Sequence, residues 1–184
     1  MNNSLENIKN IMNRYYLNEI ANNDELRALY KDSIHEGDVE QSLQLAIKHE
    51  DKEAVEDIVY LGYALNLFTD AIGPLLGILL LAKWHNKHED IVRLFQSPLN
   101  KNSPNTILLL KAVDSIPEYL SEDDFKYPYV RKIIYAIGAQ PEPYNIEALE
   151  NLAKSDDEKI RELAVHQIEK RKRLGRWEAT KSVQ

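Results

Sequence analysis

The chain of 184 residues carries 30 acidic and 23 basic side chains, which gives a formal net charge of −7 at pH 7. An acidic body disfavours direct nucleic-acid binding, because phosphates require a positive protein surface, and it favours basic protein partners. The sequence contains no cysteine, which excludes disulfides, thiolate catalysis and Cys-ligated metal sites.

The sequence indicates a cytoplasmic protein without membrane contact. Its first residues lack the basic start and the apolar core of a signal peptide. The longest apolar run, residues 71–82, is shorter than the roughly 20 residues that span a bilayer. We therefore expect a buried helix in that region.

The spacing of apolar residues predicts an all-α fold of roughly ten helices. In chain order, helices are predicted over residues 4–21, 26–34, 39–47, 55–61, 74–87, 89–96, 105–116 and 129–137, and in a C-terminal pair within 146–168. Gly37 is predicted to end the second helix, and Asp38 is predicted as the N-cap of the third. The connections between them are short, which is typical of helical hairpins.

The segment 146–168 reads as one complete helical hairpin, interrupted at Ser155-Asp156-Asp157. Neither helix can bury its apolar stripe alone, which favours stacking against further hairpins. The segment resembles a HEAT repeat at the following positions: Leu149, Leu152, Asp156 or Asp157, Ile160, Arg161 and Ala164. The resemblance implies an α-solenoid in one domain over residues 1–175, with a polar tail over 176–184. It also implies that Arg161 joins a ladder with turn aspartates between repeats.

Motifs of catalysis are not found in the sequence, which has no phosphate-binding glycine loop, nucleophile elbow or HExxH pattern. His85 and His88 stand three residues apart and could ligate a metal, but a polar turn is the favoured interpretation. His166 is interpreted as a surface or partly buried side chain. The basic run Lys170 to Arg173 is interpreted as a solvated last helical turn, with contact to nucleic acid or an acidic partner as the alternative. We predict neither an enzyme nor a cofactor.

The segment Glu36 to Asp57 holds 8 acids and 2 bases, and tyrosines follow it directly. Tyrosine suits interface anchors because it offers area at low entropic cost. A second acidic stretch near residue 123 is also followed by tyrosines, although most tyrosines could instead pack inside the fold. The predicted binding residues are Glu53, Glu56, Asp57, Tyr60, Tyr63, Asp123, Asp124, Tyr127 and Tyr129.

In overall character the chain resembles the small helical-repeat immunity proteins of bacterial toxin systems, such as contact-dependent growth inhibition. That resemblance implies a monomer that binds a basic toxin domain, often a nuclease, in a 1:1 complex and occludes its active site. The alternatives are a generic HEAT-like adaptor or scaffold and, with less support from the charge, a HEAT-like enzyme such as a DNA glycosylase. A lyase or a chaperone for a cofactor protein is a further HEAT-like alternative.

Overall fold

The computed structural model describes residues 4–97 and 101–175, and the regular structure of these residues is helical without a strand. The prediction of an all-α fold is therefore confirmed. The ten α-helices of the described residues are α1 (Ser4–Tyr16), α2 (Asn23–Tyr30), α3 (Glu36–His49), α4 (Lys52–Leu65), α5 (Gly73–Leu81), α6 (His88–Gln96), α7 (Ser103–Asp114), α8 (Asp123–Ala139), α9 (Tyr144–Leu152) and α10 (Glu158–Arg173). Short 3-10 turns lie at Asp70–Ile72 and Glu118–Leu120. None of the helices in residues 4–97 and 101–175 combines the length and apolar character needed to cross a bilayer.

The contacts divide the chain into two compact units, Met1–His88 and Glu89–Gln184. In the first unit, α1 packs on α3 and α4, which pair with each other, while α2 packs on α4 and α5 on α3. Ile8, Leu43 and Ile58 are fully buried in its core. The helices predicted over residues 39–47 and 55–61 pair with each other as α3 and α4, and Asp51 caps α4 by accepting a hydrogen bond from Ala54 N–H at 2.9 Å.

In the second unit, α8 packs against α7, α9 and α10, and α9 pairs with α10. The C-terminal hairpin is therefore confirmed, with Asp157 as the N-cap of α10. Arg161 donates to the Ser155 carbonyl oxygen at 2.7 Å, within the turn of its own hairpin. The stacking of hairpins into one solenoid domain stays a prediction, and the predicted tail 176–184 lies outside the described residues.

Two predicted helix boundaries in the first unit are wrong for local reasons. Helix α1 ends at Tyr16 instead of residue 21, because Asn18 takes the left-handed conformation with φ of 59° that ends helices. Gly37 does not stop α2 but lies inside α3, whose N-cap is His35. Asp38 is the third residue of α3, and its carboxylate accepts the His35 N–H at 2.9 Å.

The helix predicted over 74–87 ends at Leu81, and the helix predicted from residue 129 begins at Asp123. Helix α8 therefore includes Pro128, which removes one backbone hydrogen bond near its N-terminal end. Both Pro128 and Asp124 are exposed, so water can satisfy the carbonyl that the proline leaves without an N–H donor.

Candidate partner-binding surface

Five of the predicted binding residues lie on α4 at helical spacing: Glu53, Glu56, Asp57, Tyr60 and Tyr63. The other side of α4 is the buried side, with Val55, Ile58 and Leu61 fully in the core. Glu53 and Glu56 are exposed, whereas the three remaining side chains are half-buried. The apolar packing of α4 thus directs a row of acids and tyrosines away from the core.

Helix α1 adds two tyrosines that the sequence prediction missed. The Tyr16 hydroxyl donates to Asp57 Oδ1 at 2.8 Å, and the Tyr16 side chain stays 53% exposed. The hydroxyl oxygens of Tyr15 and Tyr60 lie 2.6 Å apart, and their rings are 5.2 Å apart. We call Glu53, Asp57, Tyr60, Tyr15 and Tyr16 the acidic tyrosine face. Tyr16 is the last residue of α1, which the helix predicted over residues 4–21 did not indicate.

The titratable groups of this face are shifted by burial. Burial raises the pKa of the Asp57 carboxyl above its usual value. The hydrogen bond from Tyr16 lowers this pKa, and the negative charge of Glu56 raises it. Burial, followed by the bond to Asp57, raises the pKa of the Tyr16 hydroxyl. Burial, and then the contact with Tyr15, raises the pKa of Tyr60. The hydroxyls of Tyr16 and Tyr60 therefore stay protonated at neutral pH.

Lysines of the same unit neutralise some carboxylates of the acidic hairpin but not all. Lys9 pairs with Asp51 at 2.7 Å, and this hydrogen bond lowers the pKa of the Asp51 carboxyl. Lys87 pairs with Glu56, also at 2.7 Å. Among the described residues, Glu53 and Asp57 form no ion pair, so the negative charge of α4 is concentrated on these two side chains.

Tyr63 contributes to the packing below the acidic tyrosine face. Its ring lies 5.1 Å from the Phe68 ring in an edge-on arrangement. Through this contact the loop after α4 packs against the C-terminal end of that helix. Gly62 is required there, since a Cβ atom at that position would lie 2.4 Å from the Phe68 ring.

The second predicted acidic patch, on α8, is engaged within its own unit. Asp123 pairs with Lys159 at 3.1 Å. The Tyr127 ring lies 4.8 Å from the Lys126 Nζ and 4.2 Å from the Lys159 Nζ, and its hydroxyl donates to Asp157 at 3.2 Å. These contacts connect α8 to α10, and Lys159 neutralises Asp123, one of the two carboxylates of the patch.

Two further members of the α8 patch differ from each other in exposure. Asp124 is exposed in the first turn of α8. Tyr129 is 0% exposed and lies in the core, so its predicted place on a binding surface is wrong. The tyrosine-rich segment had indicated an interface, but the periodicity of the longer α8 turns Tyr129 inward.

The two histidines interpreted as members of a polar turn are instead buried. His85 and His88 are 1% and 0% exposed, and their rings stack with centroids 4.2 Å apart. Their Nε2 atoms lie 2.8 Å from the Leu79 carbonyl oxygen and 2.7 Å from that of Ala82. Burial, and then the charge of His85, lowers the pKa of His88 to about 4. The pair caps the C-terminal end of α5, and no group of three metal-ligating side chains occurs among the described residues.

The basic run at the end of α10 is not wholly solvated, contrary to the sequence interpretation. Arg171 is 9% exposed, donates to the Gly138 carbonyl oxygen and pairs with Glu142 at 3.0 Å. It borders a cleft of about 690 Å³ that Lys101, Gln140 and Glu142 also line. Because its guanidinium satisfies a carbonyl at the C-terminal end of α8, Arg171 has a structural role there.

Comparison with protein-family models, with curated proteins and with solved structures finds no match to this chain. The class that the structure supports is an all-α protein. The HEAT-like resemblance and the immunity function stay predictions.

Proposed function

We propose that this chain is an immunity protein that binds a cognate basic toxin domain, a nuclease in the expected case, and occludes its active site. The supporting observation is the acidic tyrosine face, where Glu53 and Asp57 carry negative charge without an ion pair beside the exposed ring of Tyr16. In this proposal the carboxylates take the space that the toxin keeps for the phosphates of its substrate.

Two physical effects favour such a complex. Opposite charges steer diffusional encounter and raise the association rate, an effect that falls with ionic strength. Partly buried tyrosines then provide contact area with little entropic cost, because hydrogen bonds already hold Tyr16 and Tyr60. We therefore expect the charge to raise the association rate and the tyrosine contacts to slow dissociation of the complex.

The experiment is a pull-down from the native host with the tagged chain, followed by mass spectrometry and a binding measurement with the recovered partner. We expect a basic toxin domain at near-stoichiometric yield, loss of its activity in the complex and protection of cells that express both proteins. Recovery of only a broad set of housekeeping proteins would instead favour an adaptor. A toxin that stays active in the complex would refute occlusion.

Matched charge reversals assign the binding face. Glu53→Lys should weaken toxin binding by about tenfold or more, mainly through slower association, because it places a like charge against the partner. Glu150→Lys on α9 changes the net charge by the same amount at another exposed position and should leave affinity nearly unchanged. Equal affinities of the two variants would remove the acidic tyrosine face from the proposal.

A further inference from the structure

We infer that the cleft beside Arg171, in the second unit, binds a small amino acid in its zwitterionic form. In this assignment the Lys101 ammonium pairs with the α-carboxylate of the ligand, and Asn145 Oδ1 accepts a hydrogen bond from its α-ammonium group. The inference goes beyond the proposed function, because it concerns a small molecule and does not depend on a toxin.

The cleft has the size and the polarity of a site for a small charged ligand. Its volume is about 690 Å³, and small-molecule sites occupy roughly 300–1,000 Å³. The side chains that line it include Lys101, Glu142, Asn145 and Arg171, which are charged or polar. Such a lining suits a hydrophilic ligand better than an apolar one.

Hydrogen bonds to Gln140 hold two walls of the cleft in place. Its carbonyl oxygen accepts from Asn145 Nδ2 at 2.7 Å. Its side-chain Oε1 accepts from the Asn102 N–H at 3.2 Å, and Lys101 precedes Asn102 in the chain. The backbone that carries Lys101 and the side chain of Asn145 are therefore both attached to the same residue, so the two groups assigned to the ligand border one cleft in the folded chain.

The charges at the cleft favour a zwitterion over a polyanion. Arg171 and Glu142 pair with each other at 3.0 Å, with side chains 11% and 23% exposed. Lys101 is exposed, and within residues 4–97 and 101–175 it forms no ion pair. The cleft thus offers one accessible cation to a carboxylate, while the negative charge of Glu142 disfavours a phosphate and favours an ammonium group.

Two buried amide oxygens at the cleft need hydrogen-bond donors. Asn145 is 1% exposed and uses Nδ2 to bond Gln140, but its Oδ1 accepts from no group of the described residues. Gln167 is 7% exposed, and its Oε1 likewise has no donor in this part of the chain. It lines an adjoining cleft of about 220 Å³ that shares Gly138 and Arg171 with the first.

The unsatisfied oxygens identify what the ligand must supply. A buried acceptor without a donor is destabilising, so a donor that enters from the cleft gains free energy there. Both atoms are acceptors, which a carboxylate or phosphate without N–H groups cannot satisfy. An α-ammonium group carries three N–H donors, as a lysine ammonium does, and it supplies them next to the carboxylate that Lys101 attracts.

The test titrates three probes of similar size into the isotopically labelled full chain at pH 7, followed by NMR. L-alanine carries both recognised groups, propionate lacks the ammonium, and L-alanine amide lacks the carboxylate. We expect L-alanine to shift the side-chain amide resonances of Asn145 and the backbone amide of Gly138, with a Kd of about 1–10 mM. Propionate should bind about tenfold more weakly, because it brings no donor for the buried oxygen.

Matched lysine variants test the partner of the carboxylate. Lys101→Met should weaken L-alanine binding by about two- to fivefold, the range of an exposed ion pair, and should leave binding of L-alanine amide unchanged. Lys111→Met removes the same charge from an exposed position of α7 that does not line the cleft, and should change neither affinity. These comparisons leave Asn145 intact, whose Nδ2 also has a structural role.

The inference is overturned if L-alanine shifts no resonance of the cleft, in which case the cleft holds water only. It is also overturned if propionate binds as tightly as L-alanine, or if Lys101→Met and Lys111→Met have equal effects. The titrations need no toxin, so their failure leaves the proposed function standing. Failure to recover a toxin from the host likewise leaves the amino-acid site standing.

Discussion

The buried histidine pair makes the stability of the chain sensitive to mild acid. The folded state keeps the pKa of His88 at about 4, whereas an unfolded histidine titrates near pH 6.5. As pH falls through this window, the unfolded state binds a proton that the folded state does not, so the free energy of unfolding decreases. Its contribution is fully present above about pH 6.5 and is lost towards pH 4.

The magnitude follows from the two pKa values. Each pH unit of differential protonation changes the free energy of unfolding by about 1.4 kcal/mol. On going from pH 7.5 to pH 5, the unfolded state protonates His88 below about pH 6.5, while the folded state does not. This difference extends over about 1.5 pH units, so the free energy of unfolding falls by about 2 kcal/mol. Asp and Glu side chains with ordinary pKa values contribute little at pH 5 or above, because they titrate near pH 4.

The assay is urea denaturation at pH 7.5 and pH 5 for the wild type, for His88→Gln and for His166→Gln. Glutamine at 88 keeps an N–H donor for the Ala82 carbonyl but does not titrate, so this variant should lose about 2 kcal/mol less than the wild type. His166 is exposed on α10, and its variant should behave as the wild type does. If wild type and His88→Gln lose the same free energy of unfolding, the account of the histidine pair is wrong.

Two further predictions concern stability. Gly62→Ala should destabilise the chain by about 1–3 kcal/mol, because the new Cβ atom would lie 2.4 Å from the Phe68 ring. Gly37→Ala in α3 should stabilise the chain by about 0.4–1 kcal/mol, because a Cβ atom there meets nothing within 4 Å. Urea denaturation compares the pair, and effects of the same sign would contradict the packing argument. Asp157→Ala removes the N-cap of α10 and should lower the free energy of unfolding by about 1–2 kcal/mol. The exposed neighbour Asp156 serves as the control, since its change to Ala should cost less than about 0.5 kcal/mol, and equal losses in thermal denaturation would count against the cap.

The hairpins could be predicted because their signals are local. The apolar spacing in α3, α4, α9 and α10 can be read within a few helical turns, and Asp156-Asp157 stands at the break where α10 is capped. The acidic row of α4 was indicated by the charge of the segment Glu36 to Asp57, and the buried side of the helix determines which of these residues face outward.

The remaining features depend on contacts between distant residues. Tyr16 meets Asp57 across 41 positions, and no local pattern indicates that pair. Tyr129 and His88 stand in polar surroundings in the sequence but are fully buried in the structure. Lys159, which neutralises Asp123 of the α8 patch, comes from α10, so charge counted along the sequence overstated the negative charge of that surface.

The attachment of α1 to the acidic hairpin makes the proposed recognition depend on the folded state. Ser4 bonds Asp38, Lys9 pairs with Asp51, and Tyr16 bonds Asp57, so three points along α1 connect it to α3 and α4. An unfolded copy keeps the whole negative charge and can attract any basic protein loosely, but it has no assembled acidic tyrosine face. Under the proposed function, a cell's protection would therefore follow the concentration of correctly folded chains and not the total amount synthesised.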